Sequence, residues 1–356
     1  MSRRNISAIG SKSRRSFLRY GLPFLICPLH AQELEEIVVL AQKRERALQE
    51  VPAAVSAYGR ERIRLAGIQD IRDVMALSPF LAVHVTQAET AGAIFRMRGI
   101  GTGGDNLGLE SSVGVFVDGV YRNRNSVALT ELGDIQRIEL LRGPQSTLFG
   151  KNTTAGLIHI ITEPPTAENF GGHVSGTIGK FSALRLDGAL SGPIADSGFA
   201  WRVDAAATQR DGFIENVAAP DVEYNDRDRS MLRGQIYGQI RDNLSLRLIG
   251  DYTERSETCC AAVTLISGPS DAALTALGAT PSPGAPFDRR ITANEQWGYE
   301  QGLEEKGLSA ELNWDLRNMT VTSITAARDW RAGRSQDADF SDADILYRPR
   351  GIYENR

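Results

Sequence analysis

Apolar and polar residues alternate in the second half of this chain, and this period of two constrains the fold more than any other feature. A chain with this pattern forms β-strands that have one apolar and one polar face. Both a membrane barrel with a wet lumen and a soluble β-sandwich are built from such strands. The alternating segments are Leu184–Leu190, Trp201–Ala205, Leu232–Ile236, Leu244–Leu248 and Leu308–Leu316.

The lengths of the connections distinguish these two fold classes. About seven strands fit between His173 and Trp330. The second, fourth and sixth strands are followed by short turns, whereas the third and fifth are followed by long loops over 212–228 and 256–305. Short turns on one side and long loops on the other are typical of an outer-membrane barrel. We therefore predict an antiparallel transmembrane β-barrel, and no apolar run reaches the roughly 18 to 20 residues of a membrane-spanning helix.

The longest loop and the aromatic residues add two expectations. A loop over 256–305 on the outer face would help to cover a bound ligand. Its adjacent cysteines, Cys259 and Cys260, bridge to each other only with strain, so we expect each to pair elsewhere. Five aromatic residues fall at or within the strands, and we expect some of them at the membrane interfaces: Trp201, Tyr237, Tyr252, Trp314 and Trp330.

The first 31 residues have the composition of a secretory leader. They carry six basic residues and no acidic one, followed by an apolar stretch over 20–29 and a small residue, Ala31, at the expected cut. Pro23 and Pro28 disfavour the alternative of a short buried helix. Ser13–Leu18 resembles a twin-arginine signal, but that route carries folded proteins, so we favour ordinary secretion for a barrel. Removing these six positive charges changes the formal net charge from −4 to −10, which argues against nucleic acid as a partner.

A short extended segment follows the predicted cut. Glu36 precedes five apolar residues, Ile37, Val38, Val39, Leu40 and Ala41, and charged residues flank the run on both sides. Branched side chains favour an extended chain, and the flanking charges keep it soluble with free backbone groups. Such a segment can bind by adding itself to the edge of another protein's sheet. The equal alternative is an ordinary first strand of the next domain.

Residues 47–163 mix helical and strand patterns, which predicts a small α+β domain. Apolar residues recur at near-helical spacing from Arg60 to Leu77, and Pro79 ends that pattern. The predicted strands are Val55–Tyr58, Val113–Val117, Ile135–Leu141 and Leu157–Ile161, with a tight turn at Asp118-Gly119. No catalytic residue, cofactor site or metal site is predicted, because nucleophile elbows, CxxC pairs and complete phosphate-binding loops are absent from the sequence. His84, between Val83 and Val85, is interpreted as structural.

Four motifs in this region occur in a fixed order. They are Arg98-Gly99-Ile100, Val115–Val120 with Asp118 and Gly119, Ile138–Gly150 with Glu139, Arg142, Gly143 and Pro144, and Thr154–Ile158 with Gly156. This series resembles the plug domain of TonB-dependent outer-membrane receptors, including siderophore receptors. The segment Glu36–Ala41 resembles the TonB box of the same family. The family commonly has threonine in place of Leu40 and a second glycine in place of Ala155.

The resemblance implies a fold and a division of the chain. The fold is an α+β plug domain followed by an antiparallel transmembrane β-barrel of about 22 strands. The expected parts are a signal peptide (1–31), the TonB box and linker (32–46), the plug (47–163), a linker (164–170) and the amino-terminal part of the barrel (171–356). Seven strands cannot surround a plug of this size, because barrel diameter grows with strand number. We therefore expect a truncated form that does not transport by itself.

The resemblance also implies a function. A complete receptor would take up a scarce nutrient, foremost an iron–siderophore complex, with TonB, outer-membrane lipid and the barrel assembly machinery as partners. Uptake of vitamin B12 or an oligosaccharide, or a surface protein that binds without transporting, are the alternatives. Glu139 and Arg142, three residues apart at a strand end, are suited to pairing with charges on the barrel wall, or else form a solvated surface pair.

Overall fold

The structure is a computed structural model, and it describes two long ranges and several shorter ones. These are residues 38–41, 43–44, 46–85, 93–103, 109–124, 126, 131–195, 197–266, 268–280, 282, 287–294, 296 and 298–355. The predicted leader over 1–31 and the first two residues of the predicted TonB box, Glu36 and Ile37, lie outside these residues.

A five-stranded mixed sheet forms the centre of the amino-terminal part, here called the plug (residues 46–163). The described residues up to 163 contain the five strands of this sheet and two short pairs beside it, the first of which includes one strand before residue 46. In chain order they are β1 (Val38–Val39), β2 (Arg46–Ala47), β3 (Val55–Gly59), β4 (Leu81–Val85), β5 (Ala93–Met97), β6 (Val113–Val117), β7 (Val120–Tyr121), β8 (Ile135–Arg142) and β9 (Gly156–Thr162). The sheet order is β3-β8-β9-β6-β7, and only β6 and β9 run parallel. All four strands predicted in this region are present, and so is the turn at Asp118-Gly119.

The sheet is covered on both faces, which explains why its strands are continuous apolar runs rather than alternating ones. Every residue of β6 and β9 is buried. One face packs on a large cluster that includes Ile138, Leu140, Ile158 and Phe95. The other face packs on a smaller cluster of buried residues, namely Val39, Ala41, Val51, Phe116, Leu141, Phe149 and Leu157.

The helices are short, and the single helix predicted over Arg60–Leu77 is wrong. Helix α1 (Arg60–Leu65) ends where Gly67 takes a φ of 66° and Ile68 donates its N–H to the Ile63 carbonyl 3.2 Å away. A 3-10 turn (Asp73–Leu77) follows, because the Asp73 carboxylate accepts hydrogen bonds from two preceding backbone N–H groups. The other helices are a 3-10 turn (Leu48–Glu50), α2 (Ser146–Phe149) and α3 (Asp271–Ala276). None of the helices in the described ranges is long and apolar enough to cross a membrane.

Eight antiparallel strands form a second sheet, here called the wall. They are β10 (Gly171–Ile178), β11 (Leu184–Pro193), β12 (Phe199–Arg210), β15 (Arg227–Arg241), β16 (Leu244–Thr258), β18 (Glu300–Leu316), β19 (Met319–Asp337) and β20 (Tyr347–Asn355). They pair in that order, and β10 and β20 are the two edges of an open sheet. The seven strands predicted between His173 and Trp330 are confirmed. The eighth was missed because Pro349 interrupts its pattern, and the structure accommodates this proline beside a register shift between Arg334 and Gln336.

The alternation in the wall separates a lipid-type face from a lumen face. On β15, Leu232 and Ile236 are exposed, whereas the intervening Arg233 and Gln235 are buried against the plug. Register places Trp201, Tyr252 and Trp314 on the same outer face as the exposed leucines. Tyr237 and Trp330 lie on the lumen face, so only three of the five aromatic residues are available to a membrane interface.

At one end of the wall, the described residues of three long connections, over 211–226, 259–299 and 338–346, pack together, and we call them the cap. Strands β13 (Ile214–Asn216), β14 (Ala219–Tyr224) and β17 (Arg290–Ile291) form a small sheet there. The cap has its own cluster of buried residues, in which the rings of Tyr224 and Tyr299 meet edge to face at 5.1 Å. Cys259 and Cys260 form a disulfide with each other, which corrects the expectation that each pairs elsewhere. The chain has only one other cysteine, Cys27, in the predicted leader.

Candidate functional site: the coupling segment and the seam

The described part of the predicted TonB box, Val38–Ala41, lies packed on the plug rather than free. We call it the coupling segment. Val38 and Val39 pair antiparallel with Arg46 and Ala47. The side chains of Val39 and Ala41 are 0% and 2% exposed within the smaller plug cluster, whereas Val38 is 39% exposed. The segment is therefore docked on the plug. Its branched side chains favour an extended backbone and also bury apolar surface.

A carboxylate in the middle of the plug sheet holds the coupling segment. Glu139 of β8 is fully buried and accepts hydrogen bonds from the Leu40 N–H and from Arg137 Nε, both at 2.9 Å. Its other oxygen lies 3.6 Å from His159 Nδ1. Burial would raise the pKa of Glu139, but these contacts with His159, Arg137 and Leu40 outweigh it and hold the pKa below its ordinary value. The ionised carboxylate thus connects the segment to two adjacent strands of the sheet.

A cation closes the other end of the segment. Lys43 folds back through a backbone hydrogen bond from its N–H to the Leu40 carbonyl at 2.8 Å. Its ammonium group lies 4.4 Å from the centre of the Phe149 ring and 5.6 Å from that of Phe116. Cation–π contacts at such distances stabilise by about 0.5 to 1 kcal/mol when exposed.

Two motif pairs form tight turns of the same kind. Arg98 and Gly99 have φ values of 53° and 80°, and Asp118 and Gly119 have values of 48° and 77°. Two successive positive φ values define the turn that joins antiparallel strands most closely. The φ of Gly119 favours glycine for the turn, and a β-carbon there would lie 2.6 Å from Ile324 Cδ1 of the wall and displace the end of that side chain.

The third and fourth motifs surround α2. Gly143 and Pro144 lead into this helix and Gly150 ends it, while Gly143 donates to the Ala155 carbonyl at 3.1 Å. At Gly156 a β-carbon would lie 2.4 Å from the Leu141 carbonyl oxygen. The motif glycines therefore determine the shape of the plug at these turns. Ala155 stands where the family commonly has a second glycine, and its methyl group is accommodated with 4% exposure.

The expected pairing of Glu139 and Arg142 with the wall is wrong for the residues that the structure describes. Glu139 points into the plug, because β8 is the second strand of a sheet covered on both faces. Arg142 donates to the Ala54 carbonyl at 3.3 Å and stacks on Phe80 at 4.6 Å. The two residues are therefore also not an ion pair with each other.

Ion pairs between plug and wall do exist, but other residues make them. We call this interface the seam. Four plug carboxylates face four wall arginines, and one plug arginine faces two wall carboxylates. The pairs are Asp70–Arg229 (3.3 Å), Asp118–Arg247 (3.4 Å), Glu131–Arg185, Asp134–Arg202, Arg122–Glu305 (3.0 Å) and Arg122–Asp251 (3.7 Å).

Asp118 joins several parts of the molecule at the seam. Its carboxylate accepts hydrogen bonds from the Thr162 N–H at 3.0 Å and the Thr162 hydroxyl at 2.8 Å, and it faces Arg247 of the wall. Burial would raise the pKa of Asp118, but the Arg247 and Arg233 charges and the Thr162 hydrogen bonds outweigh it and lower the pKa. The motif residue Asp118 thus ties a plug turn, the end of β9 and the wall together.

Sequence reasoning missed the other seam residues for a clear reason. Polar residues at alternate wall positions were visible, and they predict a wet lumen face, but nothing in the sequence names their partners. Arg122 and Glu305 are separated by 183 residues, and Asp70 and Arg229 by 159.

Comparisons with known proteins agree with this architecture. The family described as "TonB-dependent Receptor Plug Domain" matches residues 47–157. The pesticin receptor of Yersinia pestis is 39% identical over 85 residues, which are 24% of this chain and 12% of that protein. The ferric-pyoverdine 358 receptor of Pseudomonas putida is 22% identical over 261 residues, 73% of this chain and 29% of that protein.

Among solved structures, the ferric yersiniabactin uptake receptor of Yersinia pestis superimposes with a TM-score of 0.68 at 18% identity. The alignment covers 80% of this chain and 42% of that protein. This likeness shows the fold: a plug followed by the first strands of a barrel. The chain spans less than half the length of each of these three proteins.

Proposed function

We propose a transport function from the premise that this chain is a TonB-dependent receptor of the outer membrane. The whole receptor takes up a scarce, bulky nutrient, and an iron–siderophore complex is the class that fits best. TonB binds Glu36–Ala41 and pulls on it, so the plug is displaced without any chemistry on the ligand. The relatives named for pesticin, ferric pyoverdine and ferric yersiniabactin support this choice of substrate class.

One observation carries the proposal: the coupling segment is attached to the same sheet that is attached to the wall. The Leu40 N–H is held by Glu139 on β8. The neighbouring strand β9 ends at Thr162, whose hydroxyl accepts from Arg247 of the wall at 2.8 Å. A pull on the segment is therefore delivered to the sheet first and to the seam next, which is the order that displacement of the plug requires.

The cap supports a covering role on the outer side. Three separate connections share one buried cluster, and Asn216 joins two of them through hydrogen bonds with Ala293 in both directions, at 2.9 and 3.2 Å. Loops ordered in this way present a defined surface to a ligand. The domain division 1–31, 32–46, 47–163, 164–170 and 171–356 is part of the same proposal, as are outer-membrane lipid and the barrel assembly machinery as partners.

The test uses a receptor with a complete barrel that carries this plug. Deleting Ile37–Ala41 is expected to abolish energised uptake of a radiolabelled ferric siderophore while binding to the cell surface is retained. The matched control is Leu40→Thr, which keeps the backbone hydrogen bond to Glu139 and the extended shape and should transport normally.

Each other outcome is informative. Unchanged uptake after the deletion contradicts the transport mechanism and favours a surface protein that binds without transporting. TonB-dependent uptake of vitamin B12 or an oligosaccharide, with no ferric siderophore accepted, would retain the mechanism and overturn the substrate class.

A further inference from the structure

A buried histidine stands in the middle of β9, on the sheet face that carries the coupling segment. His159 lies directly opposite Glu139 on β8 and beside Phe116 on β6. The residue is 4% exposed, and the Phe116 and Phe149 rings meet its imidazole edge to face at 6.5 and 6.2 Å. These neighbours fix the direction of the imidazole, so its two nitrogens face different parts of the plug.

The two nitrogens of His159 have different partners. Nε2 accepts a hydrogen bond from the Gly119 N–H at 3.2 Å. Nδ1 lies 3.6 Å from Glu139 Oε2, which is longer than a hydrogen bond, so this contact is electrostatic. The other oxygen of Glu139 accepts from the Leu40 N–H of the coupling segment at 2.9 Å. The imidazole therefore stands between the carboxylate that holds the segment and the turn that meets the wall.

The hydrogen bond from Gly119 determines where the imidazole proton lies. A nitrogen that accepts a hydrogen bond carries a lone pair, so Nε2 is unprotonated and the proton of the neutral ring is on Nδ1. There it lies beside Glu139, whose negative charge favours it. In the other tautomer Nε2 carries the proton and would face the Gly119 N–H as a second donor. The carboxylate thus selects the tautomer that accepts from the turn.

Removal of the coupling segment changes the surroundings of this carboxylate. Glu139 then loses the Leu40 N–H. The side chains of Val39 and Ala41, which pack on the same face of the sheet, also leave. Water that reaches the carboxylate screens its charge and weakens its hold on the Nδ1 proton. The ring then also takes the tautomer that does not accept from Gly119, and the turn loses one of its hydrogen bonds.

We propose that His159 is a positioning residue that transmits the docked state of the coupling segment to the Asp118-Gly119 turn. While the segment is docked, this turn is held in place for its contacts with Arg247 and Ile324 of the wall. Once the segment leaves, the turn loosens before the plug sheet opens. This rests on the proposed function only in its assumption that TonB removes the segment.

The chain itself, folded in detergent micelles, is suitable for the test, with no TonB or ligand added. Amide hydrogen exchange followed by NMR measures Gly119 and Asp118 separately. The Asp118 N–H donates to the Ile160 carbonyl at 2.9 Å, so it reports opening of the sheet and serves as the internal control. Loss of the His159 contact speeds exchange of the Gly119 amide alone, whereas general loosening speeds both amides.

Two substitutions separate the two nitrogens, because asparagine places its amide near the position of Nδ1 and glutamine places its amide near that of Nε2. His159→Asn keeps a donor beside Glu139 but has no acceptor for Gly119, so the Gly119 amide should exchange about two- to ten-fold faster. His159→Gln keeps an acceptor for Gly119 but has no donor beside Glu139. In that variant the Gly119 amide should stay near the wild-type rate.

A change in the coupling segment tests the connection itself. Leu40→Pro removes the N–H that Glu139 accepts, and Leu40→Thr, which keeps it, is the matched control. Leu40→Pro should speed exchange of the Gly119 amide by about two- to five-fold in the otherwise unchanged chain. It should have no further effect in combination with His159→Asn or His159→Gln, because each of these variants removes one half of the connection.

The tautomer of His159 is a readout that a merely structural role would not move. Nitrogen NMR shifts of isotope-labelled histidine at neutral pH should show the neutral ring with its proton on Nδ1. Leu40→Pro should move these shifts toward the average of the two tautomers, and Leu40→Thr should not. Substituting His30, His84 and His173 one at a time assigns the signal, so this measurement remains decisive if the His159 variants fail to fold.

The proposal is overturned if Nε2 carries a proton in the wild-type chain, or if Leu40→Pro leaves the Gly119 amide unchanged or speeds the Asp118 amide equally. An undiminished Leu40→Pro effect in the His159→Asn background would overturn it as well. None of these results bears on uptake by a complete receptor. Conversely, a deletion of Ile37–Ala41 that spares uptake would refute the transport function without altering these exchange rates.

Discussion

The interior of the plug and the seam around it are stabilised in different ways. In the interior, Ile138, Leu140 and Ile158 have no exposed surface and belong to one cluster of buried apolar side chains. At the seam, by contrast, plug and wall meet through carboxylates and arginines, several of which have a second partner in the wall. The interior resists unfolding through burial of apolar side chains, whereas the seam is held by ion pairs and hydrogen bonds between plug and wall.

This difference would allow the proposed movement of the plug without unfolding. Burial of apolar surface is lost only when the sheet itself opens. Ion pairs can be broken one at a time, at a cost set by what each partner retains. We therefore expect changes in the interior to lower the stability of the plug, and changes at the seam to alter its docking.

The largest expected effect comes from a cavity in the interior. Ile138→Ala removes three buried carbons from the centre of the sheet and should lower the free energy of unfolding of the plug by about 2 to 5 kcal/mol. Hydrogen exchange of β8 and β9 measures this loss. Trp201, Trp314 and Trp330 lie in wall strands, so their fluorescence reports the wall separately and should not change.

Leu186→Ala is the matched control for this prediction. Leu186 is 51% exposed on the outer face of β11, where detergent or lipid replaces the lost contact. A loss of plug stability as large as that of Ile138→Ala would show that plug and wall unfold as one unit, and the contrast drawn here would fail.

The second prediction concerns acid and the seam. Burial would raise the pKa of Asp70, but hydrogen bonding and charge from Arg72, together with the Arg229 charge, lower it from 3.8 to about 2. A carboxyl whose pKa is depressed by folding stabilises the folded form above its ordinary pKa and loses this contribution as pH falls. Docking should therefore weaken as the pH falls from 3.8 to about 2, but only by the part of the shift that comes from the Arg229 charge, because Arg72 belongs to the plug and stays beside Asp70 when the plug undocks.

Acrylamide quenching of Trp330 measures this weakening, because the indole lies on the lumen face with 5% exposure. A single-tryptophan variant with phenylalanine at 201, 297 and 314 isolates the signal. Asp70→Asn should reduce the acid response, with the remainder coming from Asp118, whereas Asp288→Asn, in the exposed pair with Arg290, should leave it unchanged. If the full acid response remained in Asp70→Asn, other titratable groups would be responsible for it.

The contrast between the plug interior and the seam also explains which parts of the structure could be predicted from the sequence. Strands β6, β8 and β9 are apolar runs within motifs that occur in a fixed order, and the wall strands alternate apolar with polar residues. The local sequence pattern was therefore sufficient to predict both sets of strands. Prediction failed where a distant contact or a backbone detail decides. The helix breaks at Gly67, β20 contains Pro349, and Glu139 serves the coupling segment instead of the wall.

The seam itself was beyond sequence reasoning. The alternation of apolar and polar residues indicates that Arg185 and Arg202 both face the lumen. It does not distinguish one arginine from the other. Only the folded structure distinguishes them, because Arg185 pairs with Glu131 of the plug and with Asp187 of the wall, whereas Arg202 pairs with Asp134 of the plug. The partners of each seam charge are therefore a property of the folded chain.

The third prediction tests whether the coupling segment is held like the interior or like the seam. Val39→Ser places a hydroxyl in the smaller plug cluster and should weaken docking of the segment by about 1.5 to 2 kcal/mol. Trypsin cleavage after Lys43 and Arg44 should then be faster by about ten-fold or more. Val38→Ser is the control, because Val38 is 39% exposed and its neighbour is 0% exposed. Equal cleavage rates for the two variants would contradict a docked segment.

The smallest expected effect belongs to the cation that closes the segment. Lys43→Gln keeps the backbone bond to Leu40 but removes the charge over Phe149 and Phe116, which should cost about 0.5 to 1 kcal/mol. Cleavage after Arg44 alone measures it, since the Lys43 site is lost, and the expected acceleration is about two- to five-fold. Lys43→Arg keeps the cation over the rings and should cleave after Arg44 at the wild-type rate. If Lys43→Gln behaves like Lys43→Arg, the rings contribute only apolar burial, and the segment is held in the manner of the interior throughout.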